Sequence, residues 1–397
     1  MMKKEYNRNP FLSLALIIAL ITTGYSAKSQ QIKKVLYPYG NNHQFFETSF
    51  QNSESIFIGL SPEDFAPAYD SVNLFVDEQS LPKFYYQDIF TPVCEDNSCK
   101  PVYITLMWDL LGNYMDYKVD PKWPLTKIDH LPFSDEEYEK MHLVLADDHS
   151  ILSSYTKKSI AELYASSKNN NIDDVDAVSG ATPQYIKDQT IEGALYTCHT
   201  IWHLSRGRIS KMLLNHTKTQ LLNEAFLHQL ISSDNINYIT FALENLRFFE
   251  ASKFHDEIVQ VIQNSDHITA SQIIRYLPNE LVGDSDFNLQ LWNLFDRVHF
   301  LSQKQILDQF THCKQLSDKL LLDLISYAEE AKESQFVQIL KIILNQSDIP
   351  ENGDQLLVEI AKNKKESLSG AVVILLRHAK FNPRNKDLIK RILKIIT

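Results

Sequence analysis

A threonine hydroxyl at the start of a predicted helix is the group in this sequence best placed to do chemistry. Residues 176–182 read Asp-Ala-Val-Ser-Gly-Ala-Thr, and Pro183 follows at once. The glycine favours a tight turn, Thr182 is a good N-cap, and proline suits the first helical position because its missing N–H costs nothing there. The free N–H groups and positive dipole end of such a helix hold phosphate well. We therefore expect that a phosphate esterified to Thr182 would lie over these donors.

The same residues resemble the flavinylation motif of the FMN-binding domain family, Asp-x-x-Ser/Thr-Gly-Ala-Thr. Asp176, Ser179, Gly180, Ala181 and Thr182 all match it. The family includes the flavin-carrying extracytoplasmic subunits of the Rnf and sodium-pumping quinone reductase complexes. The resemblance implies that a flavin transferase joins FMN through its phosphate to Thr182. It also implies that the transferase reads Asp176, and that Gly180 and Ala181 allow close approach. The alternative interpretation is an ordinary capped helix after a surface turn.

A second polar segment, residues 124–130, lies between a predicted hairpin and a predicted helix, so it is expected to be a loop. Binding residues often lie on loops. Thr126, Lys127 and His130 are candidates to line a flavin or phosphate pocket, and Lys127 suits phosphate as a point charge. A polar connector without a binding role is the alternative.

The chain has four cysteines. In an exported protein, Cys94 and Cys99 are expected to form a disulfide. A structural bridge is favoured over a redox-active pair, because the acidic residues between the two cysteines would raise a thiol pKa. Cys198 is expected to be a small buried apolar group within a helix, and Cys313 has no obvious partner.

His199 and His203 are four residues apart, which puts both imidazoles on one face of a predicted helix. Such a pair can ligate a metal. The sequence offers no third ligand and no glutamate in the zinc-protease pattern, so histidines that are hydrogen-bonded or solvent-facing are favoured. A role near the flavin is left open. We expect no metal, and we assign no catalytic residue.

The N-terminus has the pattern of a secretory signal peptide, residues 1–29. Lys3, Lys4 and Arg8 precede an apolar run over residues 11–22, and small residues precede a predicted cut before Gln30. The run is short for a bilayer span of roughly 20 residues. We therefore expect an exported, periplasmic or extracytoplasmic soluble protein. Its formal net charge of −11 disfavours nucleic acid as a non-specific partner.

Residues 30–207 are expected to form an α+β domain. Short strands are predicted at residues 55–60 and 71–76, and a hairpin at residues 102–119 that turns at Gly112-Asn113. Ser134 and Glu137 form a capping box for a helix that extends to residue 145. A helix is predicted from Pro183 to about Ser205. Its apolar stripe is expected to pack in the core: Ile191, Leu195, Cys198 and Trp202.

Residues 208–397 show helical periodicity almost throughout, interrupted by short polar stretches such as residues 232–235 and 349–353. Successive short amphipathic helices favour an α-solenoid with a HEAT-like texture. A compact irregular bundle is the alternative. Such domains usually bind partners on a surface and perform no chemistry.

Together these features predict an exported flavoprotein with FMN on Thr182 that transfers electrons outside the cytoplasm, rather than a stand-alone enzyme. Its expected partners are a flavin transferase and a redox protein of unknown identity. The alternative function is that of a non-catalytic binding or scaffold protein, in which the N-terminal domain carries no flavin and the helical array docks a partner.

Overall fold

The computed structural model describes residues 53–57, 71–94, 99–127, 130–160, 162, 186, 189–367 and 370–397. The chain divides into two compact units, Met1–Leu222 and Asn223–Thr397. The sequence placed this boundary at 207/208, so the α+β unit extends further along the chain than predicted. We call the two parts unit 1 and unit 2.

Unit 1 contains a five-stranded antiparallel sheet in which the strands are ordered along the sheet as they occur in the chain. The strands are β1 (Ser53–Phe57), β2 (Ser71–Val76), β3 (Pro82–Thr91), β4 (Val102–Trp108) and β5 (Tyr114–Lys118). β2, β4 and the β4–β5 hairpin agree with the sequence prediction. β1 begins two residues earlier than predicted, and residues 58–60 lie outside the described part. β3 was not predicted.

The turn between β4 and β5 depends on Asp109 and Gly112. One carboxylate oxygen of Asp109 accepts hydrogen bonds from the N–H groups of Leu111 and Asn113, at 2.9 and 2.8 Å. Gly112 has a φ of 78°, in the left-handed region that glycine adopts without strain. A Cβ atom at this position would also collide with the carbonyl oxygen of Ser210, so the turn requires glycine for two reasons.

Both faces of the sheet bury apolar side chains. Tyr85 and Trp108 are opposite each other on adjacent strands of one face, and both are fully buried. On the other face Phe84, Tyr86 and Met107 form a smaller buried cluster, with Phe75 and Met115 packed against it. Burial on both faces explains why β3 does not show the simple alternation of apolar and polar residues that marks a half-buried strand.

Helix α1 (Asp135–Ala146) follows the loop at residues 124–130 and packs against β5. Ser134 and Glu137 form the predicted capping box, in which the Ser134 side chain accepts from the Glu137 N–H and the Glu137 carboxylate accepts from the Ser134 N–H. A 3₁₀ turn, Ile151–Ser154, comes next.

Helix α2 (Leu195–Arg206) is shorter than the predicted helix over residues 183–205. Residues 189–194 form a turn in which Gly193 has a φ of 72°. Ile191 is buried from within this turn, and Cys198 and Trp202 are buried on α2. The apolar spacing therefore continues across a break in the backbone, and this misled the prediction of one long helix. The prediction of a core-packed stripe is confirmed.

Helix α3 (Arg208–His216) and the π-helical turn Thr217–Leu221 complete unit 1. Thr217 is fully buried, and its hydroxyl lies 2.8 Å from the hydroxyl of Tyr85 on β3. Ile209 and Leu213 are buried on the same helix. These contacts attach α3 to the sheet, which is why the boundary between the units lies after Leu222.

Unit 2 is helical in its described residues. Its α-helices are α4 (Glu224–Ile231), α5 (Ile236–Asn245), α6 (His255–Asn264), α7 (His267–Arg275), α8 (Asn279–Val282), α9 (Ser285–Leu294), α10 (Phe300–His312), α11 (Asp318–Tyr327), α12 (Glu333–Asn345), α13 (Gly353–Asn363), α14 (Gly370–His378) and α15 (Lys386–Ile396).

The helices of unit 2 pack mainly against near neighbours in the chain. Helices α4, α6, α9, α11 and α13 contact one another in succession, and so do α5, α7, α10 and α12. The predicted helical region is therefore an array built from two rows. Within the described part of the chain, no helix has both the length and the apolar composition needed to span a bilayer.

Candidate functional site

The two histidines of α2 act as hydrogen-bond donors to the preceding loop. His199 Nε2 lies 2.9 Å from the carbonyl oxygen of Tyr155, and His203 Nε2 lies 3.0 Å from that of Leu152. A carbonyl oxygen only accepts, so each Nε2 carries a proton and donates it. The two rings lie 4.2 Å apart, between centroids. The favoured interpretation, hydrogen-bonded rather than metal-binding histidines, agrees with this geometry.

The same face of α2 carries two further donors. The indole N–H of Trp202 donates to the carbonyl oxygen of Asp147 at 3.1 Å, and Arg206 Nε donates to that of Leu145 at 2.8 Å. Arg206 also pairs with the carboxylate of Asp148. Together with the histidines, these side chains fix residues 145–155 along α2, because donors at positions i, i+3, i+4 and i+7 share one helix face.

Two polar atoms on α2 have no hydrogen-bond partner among the described residues. They are His199 Nδ1 and Thr200 Oγ1, and both residues are about 95% buried. Burial lowers the pKa of His199 to about 4, so the ring is neutral near pH 7 and Nδ1 is an acceptor. Buried polar atoms of this kind are usually satisfied by an ordered water or a ligand atom.

The structure brings Thr126 and Lys127 close to both helices, and leaves His130 exposed. The carbonyl oxygen of Thr126 accepts from Thr197 Oγ1 on α2 at 3.3 Å. Lys127 Nζ lies 2.6 Å from Glu137 Oε1 on α1. His130 has a φ of 65° and a solvent-exposed side chain. Thr126 and Lys127 thus lie near one another and near the helices, and the His130 N–H donates to the Lys127 carbonyl at 3.0 Å while its side chain remains exposed.

Lys127 already pairs with a carboxylate on α1. Glu137 accepts from Lys127 with one carboxylate oxygen and from the Ser134 N–H with the other, the latter at 2.8 Å. The ammonium group is half-buried, so its charge is already balanced inside the fold. An anion at this position would share the ammonium group with Glu137 or exchange with it.

The flavinylation motif, Asp176, Ser179, Gly180, Ala181 and Thr182, lies outside the described residues. Of the residues just after it, Ile186 and the chain from residue 189 onward are described. Ile186 and Thr190 are buried, and Thr190 Oγ1 donates to the carbonyl oxygen of Ile186 at 2.7 Å. Ile186 is the fourth residue after Thr182.

The cysteines fall into two classes. Cys94 and Cys99 lie at disulfide-bonding distance with their Cα atoms 5.6 Å apart, so the predicted pairing is present. Cys198 and Cys313 are free and buried. Burial raises the pKa of the Cys198 thiol to about 12 and that of Cys313 to about 11. Both thiols are therefore protonated and unreactive in the folded protein.

Unit 2 contains a polar cavity that sequence reasoning missed. Its volume is about 410 Å³, and it lies between the ends of α4 and α6 and the start of α7. Its carboxylates come from Asp234, Glu257 and Asp266. Glu257 also accepts from Ser232 Oγ and pairs with His228 Nδ1, the latter at 2.6 Å. The polar stretch at residues 232–235 was interpreted only as a helix break, yet Ser232, Ser233 and Asp234 line this cavity.

Comparison of the chain with models of known protein families, with curated proteins and with solved structures finds no match. A search for clusters of three or more metal-ligating side chains finds none within the described ranges.

Proposed function

We propose that this protein is an exported flavoprotein that carries FMN in a phosphoester bond to Thr182 and transfers electrons outside the cytoplasm. The observation that carries the proposal is the match of Asp176, Ser179, Gly180, Ala181 and Thr182 to the flavinylation motif. The isoalloxazine ring supplies the redox chemistry, and the protein binds, orients and shields it.

The position of the motif along the chain supports this proposal. Ile186 is buried in unit 1, and four residues of fully extended chain span at most about 14 Å. A group esterified to Thr182 is therefore held close to the folded unit. A flavin attached there stays within reach of unit 1.

Unsatisfied polar atoms on α2 also support a bound group. His199 Nδ1 accepts hydrogen bonds in its neutral form, and Thr200 Oγ1 both donates and accepts. A flavin ring offers N–H, carbonyl and ring-nitrogen atoms that complement these groups. Thr126 and Lys127 lie beside the same helix and are the remaining candidates to contact the cofactor, with Lys127 exchanging Glu137 for phosphate.

The disulfide-distance pair Cys94 and Cys99 supports a location outside the cytoplasm, because stable disulfides form mainly in oxidising compartments. We assign unit 2 the role of docking surface, with the HEAT-like array bringing a redox partner to unit 1. Exposed apolar side chains on several of its helices favour such a role: Phe248, Ile268, Tyr276 and Ile374. The same observation favours the second candidate, a scaffold protein without flavin.

Intact-mass analysis of the protein exported from cells that co-express a flavin transferase separates the two candidates. A mass increase equal to FMN minus one water, together with in-gel flavin fluorescence after denaturation, supports the flavoprotein. A colourless protein of unmodified mass, produced beside a second substrate that the same transferase does label, contradicts it and favours the scaffold.

A further inference from the structure

Unit 2 carries opposite net charges in its first half and in its last fifth. Residues 223–312 contain 12 acidic and five basic side chains, counting Lys and Arg as basic, whereas residues 362–397 contain ten basic and two acidic side chains. The first segment therefore has an excess charge of −7 and the second an excess of +8. Complementary charge of this size steers association and fixes its orientation.

The acidic segment has a concave feature that can receive a cation. The cavity between α4, α6 and α7 is lined by Asp234, Glu257 and Asp266, and none of its lining residues is Lys or Arg. Helices α4 and α6 end beside it and helices α5 and α7 begin beside it, so the helix dipoles offset one another and the negative charge of the cavity comes from its carboxylates. Asp234 is exposed, and its carboxylate makes no ion pair or hydrogen bond within the described residues.

The basic segment presents a regular row of ammonium groups. Lys386, Lys390 and Lys394 recur at every fourth residue of α15, so they lie on one face, and all three are exposed. Lys390 pairs with Asp387, whereas Lys386 and Lys394 have no ion pair in the described part of the chain. Beside this row, Ile389 and Leu393 are only half-buried, which leaves apolar surface to contact a partner.

We propose that two copies of this chain associate head to tail, with the lysine row of α15 in one copy docked at the acidic cavity of unit 2 in the other. The contact joins two different surfaces, so it is heterologous and can add further copies in the same direction. The inference concerns unit 2 alone and does not depend on flavin attachment to Thr182.

Sedimentation velocity of the full exported chain, over a range of concentrations and at low and high salt, tests this proposal. We expect association at low salt that weakens as salt screens the charges, since the Debye length falls from about 10 Å at 0.1 M to about 3 Å at 1 M. Lys386→Glu/Lys394→Glu should raise the dissociation constant by roughly tenfold or more, and Asp234→Lys should act in the same direction.

A mixing experiment separates this interface from any symmetric one. Lys386→Glu/Lys394→Glu retains a native cavity, and Asp234→Lys retains a native lysine row, so the two variants should each be monomeric alone and form a complex when mixed. Lys304→Glu/Lys319→Glu changes charge equally at exposed positions outside both surfaces and should associate like the wild type.

A wild-type chain that stays monomeric at low salt overturns the proposal, as does association that survives charge reversal or fails to reappear on mixing. Flotation with anionic phosphatidylserine vesicles tests whether the lysine row binds a membrane surface instead of a second copy. Vesicle binding lost in Lys386→Glu/Lys394→Glu, in a chain that does not self-associate, would assign the lysine row to a membrane surface instead.

Discussion

The hydroxyl of Tyr85 donates a hydrogen bond to Thr217 Oγ1, although 132 residues separate the two in the chain. The direction follows from the end of the network, where Thr217 Oγ1 donates to the carbonyl oxygen of Leu110, which only accepts. His216 Nδ1, 2.9 Å from the Tyr85 oxygen, must then donate to it. This network joins the sheet to the end of α3, in a segment that sequence periodicity assigned to the other domain.

Thr217→Val should destabilise unit 1 by about 1–3 kcal/mol, because it removes the buried hydroxyl that bonds to both the Leu110 carbonyl and the Tyr85 hydroxyl. The free energy of unfolding is measured by urea titration of the full chain. Thr219→Val is the matched control, since Thr219 is exposed and bonds only within its own helical turn. Equal stability of the two variants would contradict the network.

Removal of the His199 imidazole should flatten the dependence of stability on pH. Burial holds the pKa of His199 at about 4, below its unfolded value near 6.5, so the unfolded chain binds the proton more tightly. The contribution of neutral His199 to the free energy of unfolding is therefore complete above about pH 6.5. It is lost as the pH falls towards 4, and the loss is roughly 3 kcal/mol at most.

Calorimetric melting of the full chain between pH 4 and 8 measures this effect. His199→Gln keeps an N–H donor for the Tyr155 carbonyl but does not titrate, so its melting temperature should fall less than that of the wild type as the pH decreases. His149→Gln removes an exposed imidazole from the same unit and serves as the control. Parallel pH profiles of melting temperature for the wild type and His199→Gln would refute a lowered pKa for His199.

The four cysteines should react in two stages. Native protein should incorporate no thiol label, because Cys198 and Cys313 are buried with raised pKa values and the other two are paired. Denatured protein should incorporate two labels without reductant and four after reduction, as counted by mass spectrometry. Four labels without reductant would exclude the disulfide, which closes a short loop and stabilises the fold by only about 2 kcal/mol.

Thr182→Ala should abolish covalent flavin while the protein remains folded. The variant lacks the hydroxyl that would form the phosphoester, and loss of an N-cap costs only about 1 kcal/mol. In-gel fluorescence and intact mass report attachment, with circular dichroism as the check on folding. Thr182→Ser keeps a hydroxyl and is the matched variant for steric effects. A fluorescent Thr182→Ala band would exclude Thr182 as the attachment site.

Residues 223–397 should fold alone as a helical unit and bind no flavin, whereas a chain starting at residue 208 should aggregate. The longer chain exposes Ile209 and Leu213, which are buried on α3 inside unit 1. Far-UV circular dichroism, light scattering and an FMN titration compare the two. Substantial β signal or stoichiometric FMN binding by residues 223–397 would overturn the division between the units.

Sequence patterns within a few residues predicted the elements whose structure depends mainly on neighbouring residues in the chain. The β-branched and aromatic run at residues 102–108, the Gly112 turn and the Ser134 capping box each appear as expected. β3 was missed because two adjacent residues within it, Phe84 and Tyr85, are buried on opposite faces of the sheet. Only the packing on both faces reveals this.

Long-range contacts account for the rest. The boundary between the units is set by the bond of Thr217 to Tyr85, which no sequence window contains. The spacing of His199 and His203 fits either metal or hydrogen bonding, and only the positions of the Tyr155 and Leu152 carbonyls decide between them. The polar ends of α4 and α6 form a cavity only after the helices stack.

A methyl group added at Gly112 would push apart two parts of unit 1 that are distant in sequence. The Gly112 Cα approaches the Ser210 carbonyl so closely that alanine at this position would force the β4–β5 turn away from α3. The helix that carries Ser210 also leads to Thr217, so a change in the turn would be transmitted to the hydrogen bonds beneath Tyr85. Even a single methyl group at this position would thus weaken the packing between the sheet and α3 in unit 1.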